Sequence, residues 1–270
     1  IERMQDYHCV GETLEDVYRL TLDAGMDMHM HGPDFYYSLL EMIKKGMISQ
    51  KRIDASVKRI LEVKFRLGLF DRPFTDENRK REVLFCQPHR DTALKAAREG
   101  IVLLKNEGVL PLNTDKYKKI LVTGPNADNQ AILGDWAMEQ PDTNVMTIFK
   151  GLKNASPSTS FTLCPMGYDL RSITEEQIKQ AEIEAFKNDL AIVVVGENSM
   201  RYHWGEKTCG ENSDRYDLEL VGLQQQLIER LYKTGIPVIV VLVNGRPLAT
   251  EWIADNIPVV VEAWEPGSFG

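Results

Sequence analysis

The stretch LAIVVVGENSMRYHWGEKTCGENSDR, residues 190–215, joins an apolar run to a long polar segment. Its first part, Leu190–Val195, is short, Val-rich and apolar on both faces, as is typical of a strand in a sheet covered by helices on both sides. Its second part contains three glutamates, Glu197, Glu206 and Glu211. Open α/β sheets bind their ligands beyond the carboxyl ends of the strands. The stretch therefore predicts a buried strand that leads into a functional loop with a catalytic carboxylic acid.

Strand-like and helical patterns alternate around this stretch. The strand-like runs cover residues 120–123, 161–163, 190–195, 237–243 and 258–262. The helical patterns cover residues 175–186, 217–232 and 248–253. Such alternation predicts an α/β fold with a mostly parallel sheet.

The first part of the chain shows helical patterns. Apolar residues recur at helical spacing over residues 35–43 and 53–65, and Pro33 occupies the first helical position of the former. From residue 70 to residue 84 the pattern lapses, and we expect a connecting strap and a domain boundary there. A further helix is predicted over residues 88–100.

The run Ile101–Leu104 is strand-like, and Lys105–Asn106 is predicted as a turn between two apolar pieces. The four cysteines are widely scattered, which favours free thiols and leaves open one disulfide in an exported protein.

Composition excludes several classes of function. The chain is 43% hydrophobic and 27% charged, as is ordinary for a globular protein. A net charge of −8 without a dense basic patch predicts no nucleic-acid partner. The longest apolar runs are far shorter than the ~20 residues of a membrane span, so no membrane partner is expected. No phosphate-binding glycine motif, GxSxG elbow or metal-ligand spacing of His and Cys occurs, which predicts neither a cofactor nor a metal.

The carboxylates of the polar segment remain as candidates for chemistry. A general acid that works near neutral pH must hold its proton, which requires an apolar or carboxylate-rich setting. Tyr202 and Trp204 could give Glu211 such a setting. Asp214 and Arg215 could pair and fix the loop, although Asp214 could equally cap a helix. These residues alone leave open whether Glu211 is a catalyst or a solvated loop glutamate.

Several segments, in their order and spacing, together resemble glycoside hydrolase family 3, a group of retaining β-glucosidases and related exo-acting enzymes. The matching segments are AGMDMHM (24–30), GMISQKRIDASVKRILEVKFRLGLFDRPF (46–74), IVLLKNEGVLPL (101–112), GPNAD (124–128), GDW (134–136), VVVGE (193–197), NGRPL (244–248) and EAWEPGSFG (262–270). The resemblance implies two domains and a linker. Residues 1–72 would form the end of a (β/α)8-like barrel, residues 73–117 a linker and docking helix, and residues 118–270 an α/β sandwich truncated at its C-terminus.

The resemblance also implies a function, which is hydrolysis of terminal β-linked glucosides or oligosaccharides without a cofactor. CGENSDR (209–215) is similar to the family's acid/base loop, which gives that role to Glu211. Glu197 matches a strand-end glutamate that we interpret as a loop anchor. Glu206 is a weaker rival for the acid/base, because no arginine follows it at the matching position. The family's SDW motif, which carries the nucleophilic aspartate, is absent and by the family's spacing should lie shortly before Ile1.

We therefore expect this chain to be an internal piece of a longer enzyme and to be inactive without the N-terminal barrel. The family suggests a periplasmic or secreted location. An alternative of a different class is a non-catalytic α/β carbohydrate-binding or scaffold module, whose affinity for sugar would not depend on Glu211.

Overall fold

The computed structural model describes residues 1–32 and 34–270, and it divides the chain into two units, residues 1–83 and 84–270. The predicted helix start at Pro33 lies outside the described residues. Within the described part of the chain, every helix is too short or too polar to cross a membrane. The domain limits at residues 72 and 117 stay predictions.

The first unit consists of helices joined by turns in the residues that the structure describes. Its helices are α1 (Arg3–Asp6), α2 (Leu14–Asp23), α3 (Asp34–Lys44), α4 (Gln50–Arg66) and α5 (Glu77–Val83). Thr13 begins α2 with a capping box, in which its hydroxyl accepts from the Asp16 amide and the Asp16 carboxylate accepts from the Thr13 amide. Tyr18, Phe35 and Met42 lie at the centre of a small apolar core.

The segment predicted as a strap contains helix α5, so that prediction is wrong for Glu77–Val83. No residue of α5 is buried, and all of its side chains except Val83 are polar or charged. A helix that buries nothing shows no apolar stripe, and periodicity therefore could not reveal it.

The second unit is an α/β domain around one six-stranded sheet. Its elements are α6 (Gln87–Gly100), β1 (Val102–Asn106), β2 (Lys119–Gly124), α7 (Ile148–Ala155), β3 (Ser160–Pro165), α8 (Glu175–Ala185), β4 (Leu190–Gly196), α9 (Gln224–Tyr232), β5 (Val238–Val243), α10 (Glu251–Asn256) and β6 (Val259–Glu262). The strand order is β1-β6-β5-β4-β2-β3. All neighbouring pairs are parallel except β1 with β6. The predicted α/β class with a mostly parallel sheet is confirmed.

Strand β4 occupies the middle of the sheet, and all seven of its residues are buried. Ala191, Val193 and Val195 face an apolar core that includes residues of α8 and α9. Ile192 and Val194 face a second core on the opposite side of the sheet. Burial on both faces explains why this strand reads as a continuous apolar run.

Three boundaries in the second unit differ from those predicted. Lys105 and Asn106 belong to β1, where they pair with Val260 and Val259 of β6, and the turn follows them. The helix predicted from Asp217 begins at Gln224, because the residues before it lie in bends and turns, where Asp217 accepts from the Glu219 N–H. Helix α10 covers 251–256 rather than 248–253, and α7 had no predicted counterpart.

Gly124 ends β2 at a point where two strands approach closely. Its φ is +102°, in the left-handed region, and an added Cβ would overlap the carbonyl oxygen of Val194 on the neighbouring β4. Gly235 after α9 has a similar φ of +82° but open space around it. These two glycines separate the cost of the backbone conformation from the cost of the close approach.

We expect Gly124→Ala to lower the free energy of unfolding by about 2–5 kcal/mol, because a side chain is unfavourable in the left-handed backbone conformation and would also overpack against Val194. Gly235→Ala should lose only about 1–2 kcal/mol, from the backbone conformation alone. Urea unfolding followed by tryptophan fluorescence measures both variants. Equal losses would show that the approach of β2 to β4 imposes no additional constraint.

Candidate active site

Loops from the carboxyl ends of four adjacent strands build one cleft. The loops follow β2, β4, β5 and β6, which are neighbours in the sheet. The cleft has a volume of about 330 Å³, and its lining includes Asp135, Ser199, Asp214, Arg246 and Glu265. This edge of a parallel sheet is where ligand sites are expected.

Glu197, the first residue after β4, anchors the long loop. Its side chain is fully buried, with Arg215 Nη1 3.2 Å from one carboxylate oxygen and Arg246 Nε 3.1 Å from the other. Burial raises the pKa of Glu197, and the guanidinium groups of Arg246 and Arg215 oppose that rise. Arg246 also donates to the carbonyl oxygens of Thr208 and Ser213, both at 2.9 Å. One carboxylate therefore ties the start of the loop to its end.

The sequence suggested an ion pair between Arg215 and Asp214, but the structure does not show that pair. The second partner of Arg215 is Asp217, at 2.5 Å, and Arg215 also donates to the Glu219 carbonyl oxygen. Asp214 is instead an exposed residue of the cleft lining, and it cannot cap α9, which begins at Gln224. The ion pair with Glu197 draws Arg215 inward and leaves Asp214 on the cleft wall.

Glu211 lies between Glu206 and Asp214 in the same loop, beside the cleft, and 48% of its side chain is exposed. Its carboxylate accepts a hydrogen bond from Arg201. Its backbone N–H donates to Asp135 Oδ2 at 2.7 Å, and its carbonyl oxygen accepts from Lys207 Nζ at 3.0 Å. The residue is therefore both held in place and open to a ligand.

Glu206 and Trp204 have other surroundings. A Glu206 carboxylate oxygen lies 3.3 Å from His203 Nδ1, and the His203 ring stacks on Tyr168 at a centroid distance of 4.7 Å. The Trp204 ring lies 4.5 Å from Lys207 Nζ. Tyr202 donates its hydroxyl to the Met200 sulfur. Trp204 therefore lies against basic side chains, whereas Tyr202 and Tyr168 pack on the His203 ring.

Glu265 is a cleft residue to which sequence reasoning gave no role. Its carboxylate accepts from the Ser199 hydroxyl at 2.5 Å. Burial raises the pKa of Glu265, and the nearby Asp135 carboxylate adds to the rise. A Cβ at Gly134 would lie 2.6 Å from the Glu265 carboxylate, so this approach depends on glycine.

Asp135, Arg201 and Lys207 also lacked an assigned role in the sequence. Asp135 belongs to the GDW segment and Glu265 to the EAWEPGSFG segment, so their neighbourhoods carried a signal. Their contact with the Glu211 loop arises from loops that are distant in sequence, and no local pattern records it. Within residues 1–32 and 34–270, no three His, Cys, Asp or Glu side chains are grouped so as to hold a metal ion.

A family model of the glycosyl hydrolase family 3 C-terminal domain matches residues 101–270. The chain belongs to glycoside hydrolase family 3. A β-xylosidase of Formosa agariphila is 34% identical over 99% of this chain, and a periplasmic β-glucosidase of Salmonella typhimurium is 32% identical over 97%. The chain spans 38% and 37% of the lengths of these two relatives.

Solved structures of β-glucosidases are also similar to this family 3 chain. A β-glucosidase of intestinal bacteria involved in saponin metabolism matches with a TM-score of 0.87 and 27% identity, over 99% of this chain and 41% of that one. The β-glucosidase of Listeria innocua in complex with isofagomine matches with a TM-score of 0.84 and 25% identity, over 99% and 36%. The second unit, which contains the cleft, includes all of the matched family 3 C-terminal domain.

We expect Glu197→Gln to lower the free energy of unfolding by about 3–5 kcal/mol, because it leaves two arginines without their buried counter-charge. Glu206→Gln is the matched control, since it removes a partly exposed pair and should cost at most about 1 kcal/mol. Chemical unfolding of both variants gives the comparison. Similar small losses would exclude Glu197 as the anchor of the loop.

The raised pKa of Glu265 predicts a dependence of stability on pH. A carboxyl that binds its proton more tightly in the folded state contributes stability at low pH, and this is lost as pH rises from the unfolded value of 4.5 through the folded pKa. Glu265→Gln cannot lose a proton, so its stability relative to the parent should increase with pH. Unfolding curves between about pH 4 and pH 8 measure this difference. A difference that shrinks with pH would mean that burial does not govern this carboxyl.

Proposed function

We propose that this chain is part of a retaining, exo-acting β-glycosidase of the β-glucosidase type and that Glu211 is its acid/base. The observation that carries the proposal is the placement of the three loop glutamates. Glu197 is buried between two arginines, and Glu206 lies 3.3 Å from His203, whose ring stacks on Tyr168. Glu211 instead follows Gly210, which lines the cleft, and 48% of its side chain is exposed. A proton donor must reach the glycosidic oxygen, and Glu211 is the glutamate of this loop best placed to do so.

The relatives support the reaction class. They are named as β-xylosidases and β-glucosidases, and one of the solved β-glucosidases was crystallised with glucose. Because this chain spans only part of their length, we propose that the activity belongs to the full-length protein. Its substrate would be a terminal β-linked glucoside or a related oligosaccharide. The relatives named periplasmic and lysosomal favour a location outside the cytoplasm, which we also propose.

A retaining glycosidase uses two carboxyl groups about 5–5.5 Å apart. We assign the nucleophile to an aspartate of the barrel domain of the full-length protein. In the first step this aspartate bonds to the anomeric carbon, the bond to the leaving oxygen breaks, and protonated Glu211 gives that oxygen its proton. In the second step Glu211, now a carboxylate, takes a proton from water, whose oxygen bonds to the anomeric carbon as the aspartate leaves.

Removing the carboxyl of Glu211 tests this role in the full-length protein. We expect Glu211→Ala to lower kcat on a disaccharide by about 10²–10⁴-fold, because the leaving alkoxide then departs without a proton. The kcat on an aryl β-glucoside with a good leaving group should fall much less. Azide should restore turnover and yield a β-glycosyl azide, since a small anion can replace the missing base. Steady-state kinetics and product analysis measure these effects.

Glu206→Ala is the matched control, a neighbouring loop glutamate, and should leave the ratio of the two substrate rates unchanged. If Glu211→Ala also left the ratio unchanged and azide had no effect, Glu211 would not be the acid/base. Sugar binding without any turnover by the parent protein would instead support a non-catalytic carbohydrate-binding module.

A further inference from the structure

Every polar group of Glu211 is engaged by one of three charged residues. Asp135 accepts from its N–H, Lys207 donates to its carbonyl oxygen, and Arg201 donates to its carboxylate. We call Asp135, Arg201 and Lys207 the Glu211 clamp. Asp135 comes from the loop after β2, whereas the two basic residues belong to the same loop as Glu211. The clamp therefore connects the proposed acid/base loop to a neighbouring loop of the sheet.

Asp135 is the centre of the clamp. Its Oδ1 lies 3.0 Å from Arg201 Nε, and both of its carboxylate oxygens lie 3.4 Å from Lys207 Nζ. Lys207 is only 5% exposed, so its ammonium group requires a counter-charge. Asp135 thus contacts the Glu211 backbone and also Arg201 and Lys207, the two basic residues that contact Glu211.

Asp135 remains suited to this position as a carboxylate. Burial alone would raise its pKa, but the N–H groups of Glu211 and Trp136 and the Lys207 ammonium group outweigh burial and hold the pKa below its usual value. The acceptor that fixes the Glu211 backbone is therefore ionised under ordinary conditions. An ionised acceptor makes a stronger hydrogen bond to an N–H than a neutral one does.

The backbone around the clamp is shaped for this contact. Gly210, next to Glu211, has a φ of +85°, and a Cβ there would lie 2.5 Å from Asp135 Oδ2. Trp136 and Asn212 have φ values of 60° and 57°, in the left-handed region, although neither is glycine. The Trp136 ring lies 3.5 Å from the Arg201 guanidinium carbon, which covers one face of that group. Such conformations persist where surrounding contacts impose them, and they are frequent at functional sites.

We propose that Asp135 is a positioning residue for catalysis, which fixes Glu211 beside the cleft through the Glu211 backbone and through Lys207 and Arg201. This inference rests on the proposed role of Glu211. Proton transfer depends steeply on the distance between donor and acceptor, and a displacement of about 1 Å can cost about 100-fold in rate. A half-exposed glutamate on a long loop needs support of this kind.

Hydrogen exchange in the full-length protein tests the contact itself. Asp135→Ala removes the acceptor of the Glu211 N–H, and the exchange of that amide should accelerate by at least about tenfold. Asp189→Ala is the matched control, because Asp189 also accepts from two backbone amides, those of Lys118 and Lys119, both at 2.9 Å. Asp189 lies at the amino-terminal edge of the sheet, opposite the cleft. Its loss should accelerate exchange at residues 118 and 119 and leave Glu211 unchanged.

Substrate ratios test the catalytic consequence. We expect Asp135→Ala to lower kcat on a disaccharide by about 10–100-fold. The kcat on an activated aryl glucoside should fall much less, and KM should stay nearly constant for both substrates. The ratio of the two rates is measured on one preparation, so a loss of folded protein cancels. Asp135→Asn keeps an oxygen acceptor for the Glu211 N–H but loses the charge that Lys207 needs. It should fall between Asp135→Ala and the parent, and it provides the test if the alanine variant does not fold.

The outcomes separate this inference from the proposed function. If the Glu211 amide exchanges at the parental rate in Asp135→Ala, the positioning role is overturned. It is also overturned if Asp135→Ala keeps the parental ratio of the two substrate rates while Glu211→Ala changes that ratio. A parental ratio in Glu211→Ala itself refutes the proposed acid/base and removes the basis of the inference. If the ratio of the two substrate rates also changes in Asp189→Ala, a general loss of stability is enough to change it. This outcome too would overturn the positioning role.

Discussion

The buried ion pairs of Glu197 are the interaction on which the candidate site depends. A carboxylate placed at the end of the central strand is costly to bury, and its two arginines offset that cost because each one pairs with a different carboxylate oxygen. Arg215 comes from the far end of the loop and Arg246 from the end of β5. The loop of 19 residues from Glu197 to Arg215 is therefore closed at its base, and its middle residues can be placed by weaker contacts.

The charges of the site are arranged in two levels. At the base, two arginines flank one carboxylate, which is closed to solvent. Nearer the opening, the Glu211 clamp and the Glu265–Ser199 pair place carboxylates and cations around a cleft that remains accessible. The base provides rigidity, and the upper level provides the chemical groups that a ligand meets. Rigid support beneath reactive groups is a general requirement of catalytic sites.

Much of this arrangement was predictable from the sequence, for identifiable reasons. The strand Leu190–Val195 and the parallel sheet could be predicted because burial on both faces produces Val-rich runs. Glu197 and Glu211 could be selected because their segments resemble a family pattern. Helix α5 could not be found, since it buries nothing. The clamp residue Asp135 could not be assigned, because its contact with Glu211 spans 76 positions and is made by loops whose meeting depends on the strand order. The same limit applies to Glu265.

The order of the strands also bears on how such a site can change during evolution. The four loops around the cleft follow β6, β5, β4 and β2, which lie side by side, while the two hydrophobic cores are built mainly on the two faces of the sheet. Substitutions and length changes in one loop can thus alter the groups presented to a ligand without disturbing the sheet, provided that Glu197 and its arginines persist. The domain thus separates the architecture of the sheet from the groups around the cleft, which can change on one scaffold.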